Sequence, residues 1–298
     1  MDVFDRQLVR ARRERAAAGF ADHGFLVAEV AERLVDRLRD VTRDFPAAVD
    51  LGCHTGQVAR ALRGDEGVGW LAQADLAPTM ATRAGEAGWP ALACDEEWLP
   101  FADASLDLVT SCLSLHWVND LPGALVQIRR ALRSDGLFLA ATFGIETLRE
   151  LKDCLFETEM EAGGISPHVS PFVDVRDAGG LLQRAGLALP VVDADTITVT
   201  YENPLGLLRD LRGMGETNAV RERARRPLRR DVLFRALDLY QRRHALADGR
   251  VPATFEIVTM TAWAPDASQQ TPLRPGSAQA RLADALGTRE HGTGEPPG

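Results

Sequence analysis

Few folds accommodate the run Val49-Asp50-Leu51-Gly52-Cys53-His54-Thr55-Gly56, followed at once by the helix-compatible stretch Gln57 to Leu62. An apolar strand that breaks into glycines and re-forms as a helix is the opening βα turn of a nucleotide-binding sheet. Glycine at 52 and 56 lets the backbone turn tightly and keeps Cβ atoms away from a ligand that meets the N–H groups opening the helix.

The rest of the chain keeps the rhythm that turn begins. Short apolar runs at Ala48 to Leu51, Gly69 to Ala74, Pro90 to Ala93, Leu106 to Cys112 and Leu137 to Phe143 alternate with helical stretches, as in a parallel sheet covered on both faces. Thr196 to Tyr201 and Thr254 to Trp263, rich in Thr, Val, Ile and aromatics, add two strands. The expectation is therefore an α/β, doubly wound, seven-stranded sheet with ligand at the carboxyl ends of its first strands. Ahead of it, residues 1–45 are helical, with Arg12 to Leu38 read as helix from the spacing of Phe20, Phe25, Val27, Val30, Leu34 and Leu38. Before the last strand, residues 204–250 form a helical insertion. Residues 1–265 make one domain. Residues 266–298, rich in Ser, Gln, Thr, Pro and Gly, read as a mostly disordered tail with at most one short helix over Ala278 to Leu286.

Composition removes several classes. The N-terminus is charged and no long apolar run occurs, so neither a signal peptide nor a membrane span is expected. Cys53, Cys94, Cys112 and Cys154 are scattered without a Cys-x-x-Cys pair, which suits a reducing cytoplasm and suggests no disulfide framework or zinc site. A net charge of −9 argues against DNA or RNA as a partner. Lys152 is the sole lysine, so arginine carries nearly all the positive charge. The cluster Arg221, Arg223, Arg225, Arg226, Arg229 and Arg230 is accordingly read as a solvated helical face, with RNA phosphates or an acidic partner as the sharper alternative.

The acidic residues at strand ends complete a ligand constellation. Asp75 ends the second strand about twenty residues beyond the glycines, where a carboxylate accepts from ribose hydroxyls. Asp95, closing the third strand ahead of Glu96, is placed to accept from an adenine amino group. Each member has a plainer role on its own: turn glycine, helix N-cap or exposed loop carboxylate. Together, Asp50, Gly52, Gly56, Asp75 and Asp95 favour an adenosine ligand without a pyrophosphate. NAD would ask for Gly-x-Gly-x-x-Gly, and position 57 is glutamine.

Beyond the turn lie Asp95-Glu96-Glu97-Trp98-Leu99-Pro100-Phe101, Ser105-Leu106-Asp107-Leu108-Val109 and Leu115-His116-Trp117-Val118-Asn119-Asp120-Leu121-Pro122. With these the chain resembles class I methyltransferases, and within them two groups: the malonyl carrier-protein O-methyltransferases of biotin synthesis, and the respiratory complex I assembly factors that hydroxylate an arginine. Val3-Phe4-Asp5-Arg6, Ser166-Pro167-His168-Val169-Ser170-Pro171-Phe172, Gly213-Met214-Gly215-Glu216-Thr217-Asn218 and Val251-Pro252-Ala253-Thr254-Phe255 favour the second group. The resemblance implies a Rossmann-like sheet with its last strand antiparallel, S-adenosyl-L-methionine as coenzyme, and Asp50, Gly52, His54, Gly56, Asp75, Leu76, Asp95 and Glu96 around it. It also implies a complex I subunit as partner. One departure stands out: His54 replaces the middle glycine of Gly-x-Gly-x-Gly.

Methyl transfer needs alignment more than catalytic side chains, because the sulfonium is already activated. His116 is the best-placed base if the acceptor needs one, although a histidine beside Trp117 is more often packing; the two are substrate-side candidates only. Hydroxylation needs a metal or organic cofactor to activate oxygen, and no His-x-Asp or His-x-Glu occurs, so no metal is implied. His168, in an apparent loop, is read as a brace with a substrate or metal role as alternative. Three functions stay open: a methyltransferase-type enzyme, an arginine hydroxylase acting on a complex I subunit, and a coenzyme-binding assembly chaperone without catalysis.

Overall fold

The computed structural model describes residues 2–64, 66–164, 166–226, 228–270, 277 and 282–289. They fall in two compact units, Met1–Pro265 and Asp266–Gly298. In the first, strands β1 (Ala48–Leu51), β2 (Leu71–Asp75), β3 (Ala91–Ala93), β4 (Leu106–Cys112), β5 (Leu132–Phe143), β6 (Ala188–Tyr201) and β7 (Val251–Trp263) form one sheet in the order β3-β2-β1-β4-β5-β7-β6. The first five are parallel, and β7 enters antiparallel between β5 and β6.

Alternation along the strands sorts the core into two layers. Ala48, Leu108, Leu137, Leu139 and Ile257 pack on one face. Their neighbours Val49, Val109, Phe138, Ala140 and Val258 pack on the other, where helices α6 (Leu121–Ala131) and α8 (Val175–Arg184) cover them with Leu125, Ile128 and Leu182. The first face carries α3 (Phe25–Arg39), whose Leu26, Val27, Val30, Leu34 and Leu38 recur at helical spacing and are all buried. Helices α4 (Gln57–Ala61) and α5 (Pro78–Gly85) follow β1 and β2. Beyond β5, α7 (Arg149–Glu161) lies against the sheet with α9 (Pro204–Gly213) and α10 (Arg230–His244).

The expected continuous helix from Arg12 to Leu38 is broken. Helix α1 (Arg6–Ala16), capped by Asp5, passes through a 3-10 turn at Ala17–Gly19 into α2 (Phe20–His23) before α3 starts. Gly19 and Gly24 make the breaks, helix interiors being costly for glycine. A Cβ on Gly24 would also lie 2.5 Å from the Phe20 ring. The consequence is functional: α1 leaves the path of α3 and crosses over the strand ends. The insertion is helical only at its ends, with α9 and α10 separated by irregular chain that holds Glu216 and most of the arginine cluster.

In the second unit α11 spans Leu282–Leu286. It overlaps the end of the expected helix from Ala278, whose first residues, like much of the expected disordered tail, lie outside the described residues. Among the described residues no helix is long and apolar enough to cross a membrane.

Candidate functional site

The chain turns sharply after β1. Gly52 and Gly56 both take positive φ, +69° and +91°, which glycine adopts without strain. The space matters too: a Cβ on Gly52 would stand 1.9 Å from Ser114 Oγ and 3.2 Å from Glu96 Oε1, so this turn rests directly on the residues that follow β3 and β4. Asp75, the last residue of β2, is fully buried. Its Oδ1 accepts from Ala77 N (2.8 Å) and its Oδ2 from His54 N (3.0 Å).

Two arginines from α1 close over this floor. Arg13, with no exposed surface, places Nη1 3.4 Å from Asp75 Oδ2 and 3.3 Å from Glu96 Oε1, and donates from Nη2 to Ser114 Oγ (2.9 Å). Ser114 in turn donates to Glu96 Oε1 at 2.6 Å. Arg6 donates to Asp95 Oδ1 (2.6 Å), to the Glu96 carboxylate and to the Trp117 carbonyl (3.2 Å). Burial pushes Asp75 up to about 6 although Arg13 opposes it. Burial would raise Glu96 as well, but Arg6 and Arg13 outweigh it and hold that carboxyl at about 2. The pair therefore differs in proton affinity because Glu96 has two cations and Asp75 one.

The other coenzyme candidates are distributed around this pair. Asp95 sits two residues beyond β3, where the sequence reading had it close the strand, because pairing with β2 ends at Ala93. Its side chain keeps 30 % exposure at the rim. Leu76 packs with Phe4, Val9 and Trp117 in a separate small cluster. Asp50 lies inside the sheet, accepting from Thr110 Oγ1 at 2.9 Å, and its Oδ2 has no partner among the described residues. His54 has φ 50°, in the left-handed region that glycine favours, which is the conformation a glycine expected at this place would adopt without strain. It touches Asp75 through its backbone N–H alone. The ring stacks on Phe20 at 5.4 Å and puts Nε2 3.0 Å from the Cys112 carbonyl. Burial first, then the charge of Arg13, lowers it to about 4, so the imidazole is neutral at ordinary pH.

Burial lifts Asp50 to about 7 against the Thr110 hydrogen bond. An acid whose folded pKa is raised is stabilising in its protonated form, so stability falls as pH climbs from the unfolded value through 7. Asp50→Asn is expected to raise the melting temperature at pH 8, by roughly 2–4 °C per kcal/mol recovered, and to leave it unchanged near pH 4. A thermal melt series across pH checks this; an equal gain at both ends would show that charge is not the cause.

A second group stands on the other side of Arg13. His116 Nε2 lies 2.9 Å from Glu216 Oε2, and the Trp117 indole donates to the same carboxylate at 3.0 Å. The His116 ring also packs against Trp117, Phe143 and Phe172, which is the packing role read for it, with a carboxylate partner added. Burial alone would raise Glu216, yet His116 and Arg13 bring it below the usual carboxylate range. Trp117 and Glu216 line one end of an apolar pocket of about 250 Å³, walled by Phe143, Leu151, Leu155, Phe172, Leu211 and Phe255. His168 also lines it, with Nε2 2.8 Å from Glu159 Oε1 but without hydrogen-bond geometry, while Ser166 N donates to Oε2 of that carboxylate. Among the described residues no group of three His, Cys, Asp or Glu converges as a metal would need.

Sequence reasoning missed Arg6, Arg13 and Glu216 as site residues. Arg6 and Glu216 lay inside motifs noticed only for their resemblance; Arg13 had no signal among so many arginines.

The sheet order and the antiparallel β7 are those of the S-adenosylmethionine-dependent methyltransferase class. A family model described as "Methyltransferase domain" matches residues 49–140. The fold is similar to that of the YcgJ protein from Bacillus subtilis (TM-score 0.54, 14 % identity, 78 % of this chain and 99 % of that one). It is also similar to a SAM-dependent methyltransferase from Thermotoga maritima (TM-score 0.51, 16 % identity, 86 % and 99 %). The chain belongs to the family of the mitochondrial arginine-hydroxylase NDUFAF5: it is 44 % identical to the Homo sapiens protein over 93 % of this chain and 81 % of that one, and 41 % identical to the Danio rerio protein over 95 % and 89 %. Identity to the malonyl-[acyl-carrier protein] O-methyltransferase of Laribacter hongkongensis is 38 %, over 91 % and 94 %.

Proposed function

We propose that this protein is an S-adenosylmethionine-dependent, methyltransferase-type enzyme that acts on a protein component during assembly of respiratory complex I. The observation that carries the coenzyme assignment is the pair of buried carboxylates, Asp75 and Glu96, under a glycine turn that leaves no room for a Cβ. Asp75 would accept from the ribose hydroxyls, and Asp95 and Glu96 from the adenine side. Gly52 and Gly56 would keep the backbone close, with His54 contributing its N–H and Leu76 an apolar contact. Asp50 supports the turn from within the sheet. Bound coenzyme supplies an activated methyl group; the chain's own contribution is to hold it, to exclude water and to orient the acceptor.

The fit has one condition. Arg13 now takes the acceptor atom on Asp75 that a ribose would need, so it must release Asp75 when adenosine enters. Trp117, His116 and Glu216 form the acceptor side. A carboxylate held ionised beside an apolar pocket suits a cationic or hydrogen-bond-donating acceptor, and His116 is held by it as a positioning group.

A second reading, hydroxylation of an arginine on a complex I subunit, is favoured by the name carried by relatives that align with nearly the whole chain. Both readings share the coenzyme pocket. The proposal also places the protein in the cytoplasm, supported by four buried cysteines without disulfides. Isothermal titration with S-adenosylmethionine and, separately, with NAD tests the pocket: binding of the former alone is expected, and binding of NAD alone or of neither overturns it. Mass spectrometry of complex I subunits from a deletion strain tests the reaction. A lost methyl group supports the first reading, a lost hydroxyl the second, and an unchanged set removes both.

A further inference from the structure

The arginine cluster that the sequence reading assigned to a solvated face lines a concave surface. Arg12 from α1 and Arg223, Arg225, Arg226 and Arg229 from the insertion surround an open basin of about 720 Å³ with Asp5 as the single carboxylate among its lining residues. His168, Asn218 and Leu228 line both this basin and the apolar pocket beside Glu216, so the two are continuous.

The positive charge there is only partly answered. Arg223 meets Asp5 at 3.5 Å and Arg229 meets Asp231 at 2.9 Å. Among the described residues Arg12 donates only to a backbone carbonyl, that of Thr217, at 2.5 Å. Arg225 and Arg226 make no ion pair or side-chain hydrogen bond among the described residues. Partial burial, then the neighbouring charges of Arg223 and Arg15, depress Arg12 below the usual guanidinium range although Asp5 opposes them; several like charges are held together there against the one carboxylate that lines the basin. In a chain of net charge −9 such a concentration repels basic surfaces and draws acidic ones.

We infer that the basin and pocket together form a docking site for an acidic segment of a protein partner, its carboxylates on Arg12, Arg225 and Arg226 and one apolar or aromatic side chain against the Leu and Phe walls of the pocket. The inference rests on the reading that the acceptor is presented by a protein. A protein segment is favoured over a small anion by the width of the basin, which spreads its arginines over two separate parts of the chain. It is favoured over RNA by the adjoining pocket, which is walled mainly by Leu and Phe side chains and has Glu216 as a carboxylate that would repel phosphate.

The test is fluorescence anisotropy with a short labelled peptide of Asp, Glu and Gly around one Phe, compared with its Asn/Gln counterpart and with single-stranded RNA. The acidic peptide is expected to bind, to weaken with salt, and to lose roughly tenfold or more in affinity to Arg225→Glu/Arg226→Glu. Arg225→Gln/Arg226→Gln, a milder change, is expected to fall between. Coenzyme titration of the same variants is expected to match the parent, because neither arginine touches the carboxylates under α1; it also shows that the variants are folded. Equal binding of the acidic and neutral peptides, tighter binding of RNA, or acidic-peptide binding indifferent to charge reversal would each overturn the inference. A parent that docks the acidic peptide but fails to bind S-adenosylmethionine would remove the proposed function and leave the docking site standing.

Discussion

Arg13→Ala is expected to cost the ligand-free protein about 3–5 kcal/mol, since removing one partner of a buried ion pair strands the other. Two carboxylates are involved, Asp75 and Glu96, neither with appreciable solvent exposure. Ser114 also loses a donor. The loss is read from urea unfolding as a lowered midpoint at unchanged slope. Its pH dependence has a definite sign. Arg13 is what restrains Asp75, already raised to about 6, so without it the carboxyl rises further and takes up a proton more readily. The deficit is therefore largest at pH 8 and shrinks toward pH 5, where a neutral Asp75 no longer needs a cation. S-adenosylmethionine at saturating concentration is expected to restore more stability to the variant than it adds to the parent, because hydroxyl donors replace the missing guanidinium. A midpoint that hardly moves at pH 8 would mean that α1 does not seal this site in solution. Equal stabilisation of both proteins by coenzyme would mean that Arg13 and ribose do not compete for Asp75.

Asp75→Ala is expected to weaken S-adenosylmethionine binding roughly a hundredfold or more, as two hydrogen bonds to a charged acceptor are each worth about 1.5–3 kcal/mol. Asp75→Asn retains the shape and one acceptor, so it should lose less. Both variants free Arg13 from half of its pairing, yet Glu96 and Ser114 still hold it, and the protein should remain folded. Calorimetric titration decides the matter. An alanine variant with undiminished affinity would place the ribose elsewhere and withdraw the assignment of the whole constellation.

Much of the architecture was readable because it is local. Each parallel strand is a short apolar run that breaks into a polar turn, so five of them could be placed from Ala48 to Phe143, and the glycines at 52 and 56 marked where the first turn needs positive φ. The expected antiparallel β7 is present, although that came from resemblance and not from any pattern in the residues. Boundaries were less legible: β6 begins at Ala188 rather than Thr196, because an edge strand half open to solvent lacks a continuous apolar signature. The helix across Arg12 to Leu38 was misread for a related reason. Its apolar spacing continues across Gly19 and Gly24, and periodicity does not register a change of direction.

The sequence by itself determined the glycine turn and the place of Asp75 at the end of β2, since a residue closing a strand is carried to the carboxyl edge of the sheet wherever its neighbours lie. Only the tertiary structure decided what meets the carboxylates of the site. Arg13 reaches Asp75 across 62 positions of chain and Glu96 across 83, and Glu216 reaches His116 across 100. Such pairings depend on where α1 and the insertion fold back, which no local pattern encodes. The arginine cluster shows the same division: its charge was evident from the residues, but its concavity, and its continuity with an apolar pocket, exist only once α1 and the insertion stand side by side.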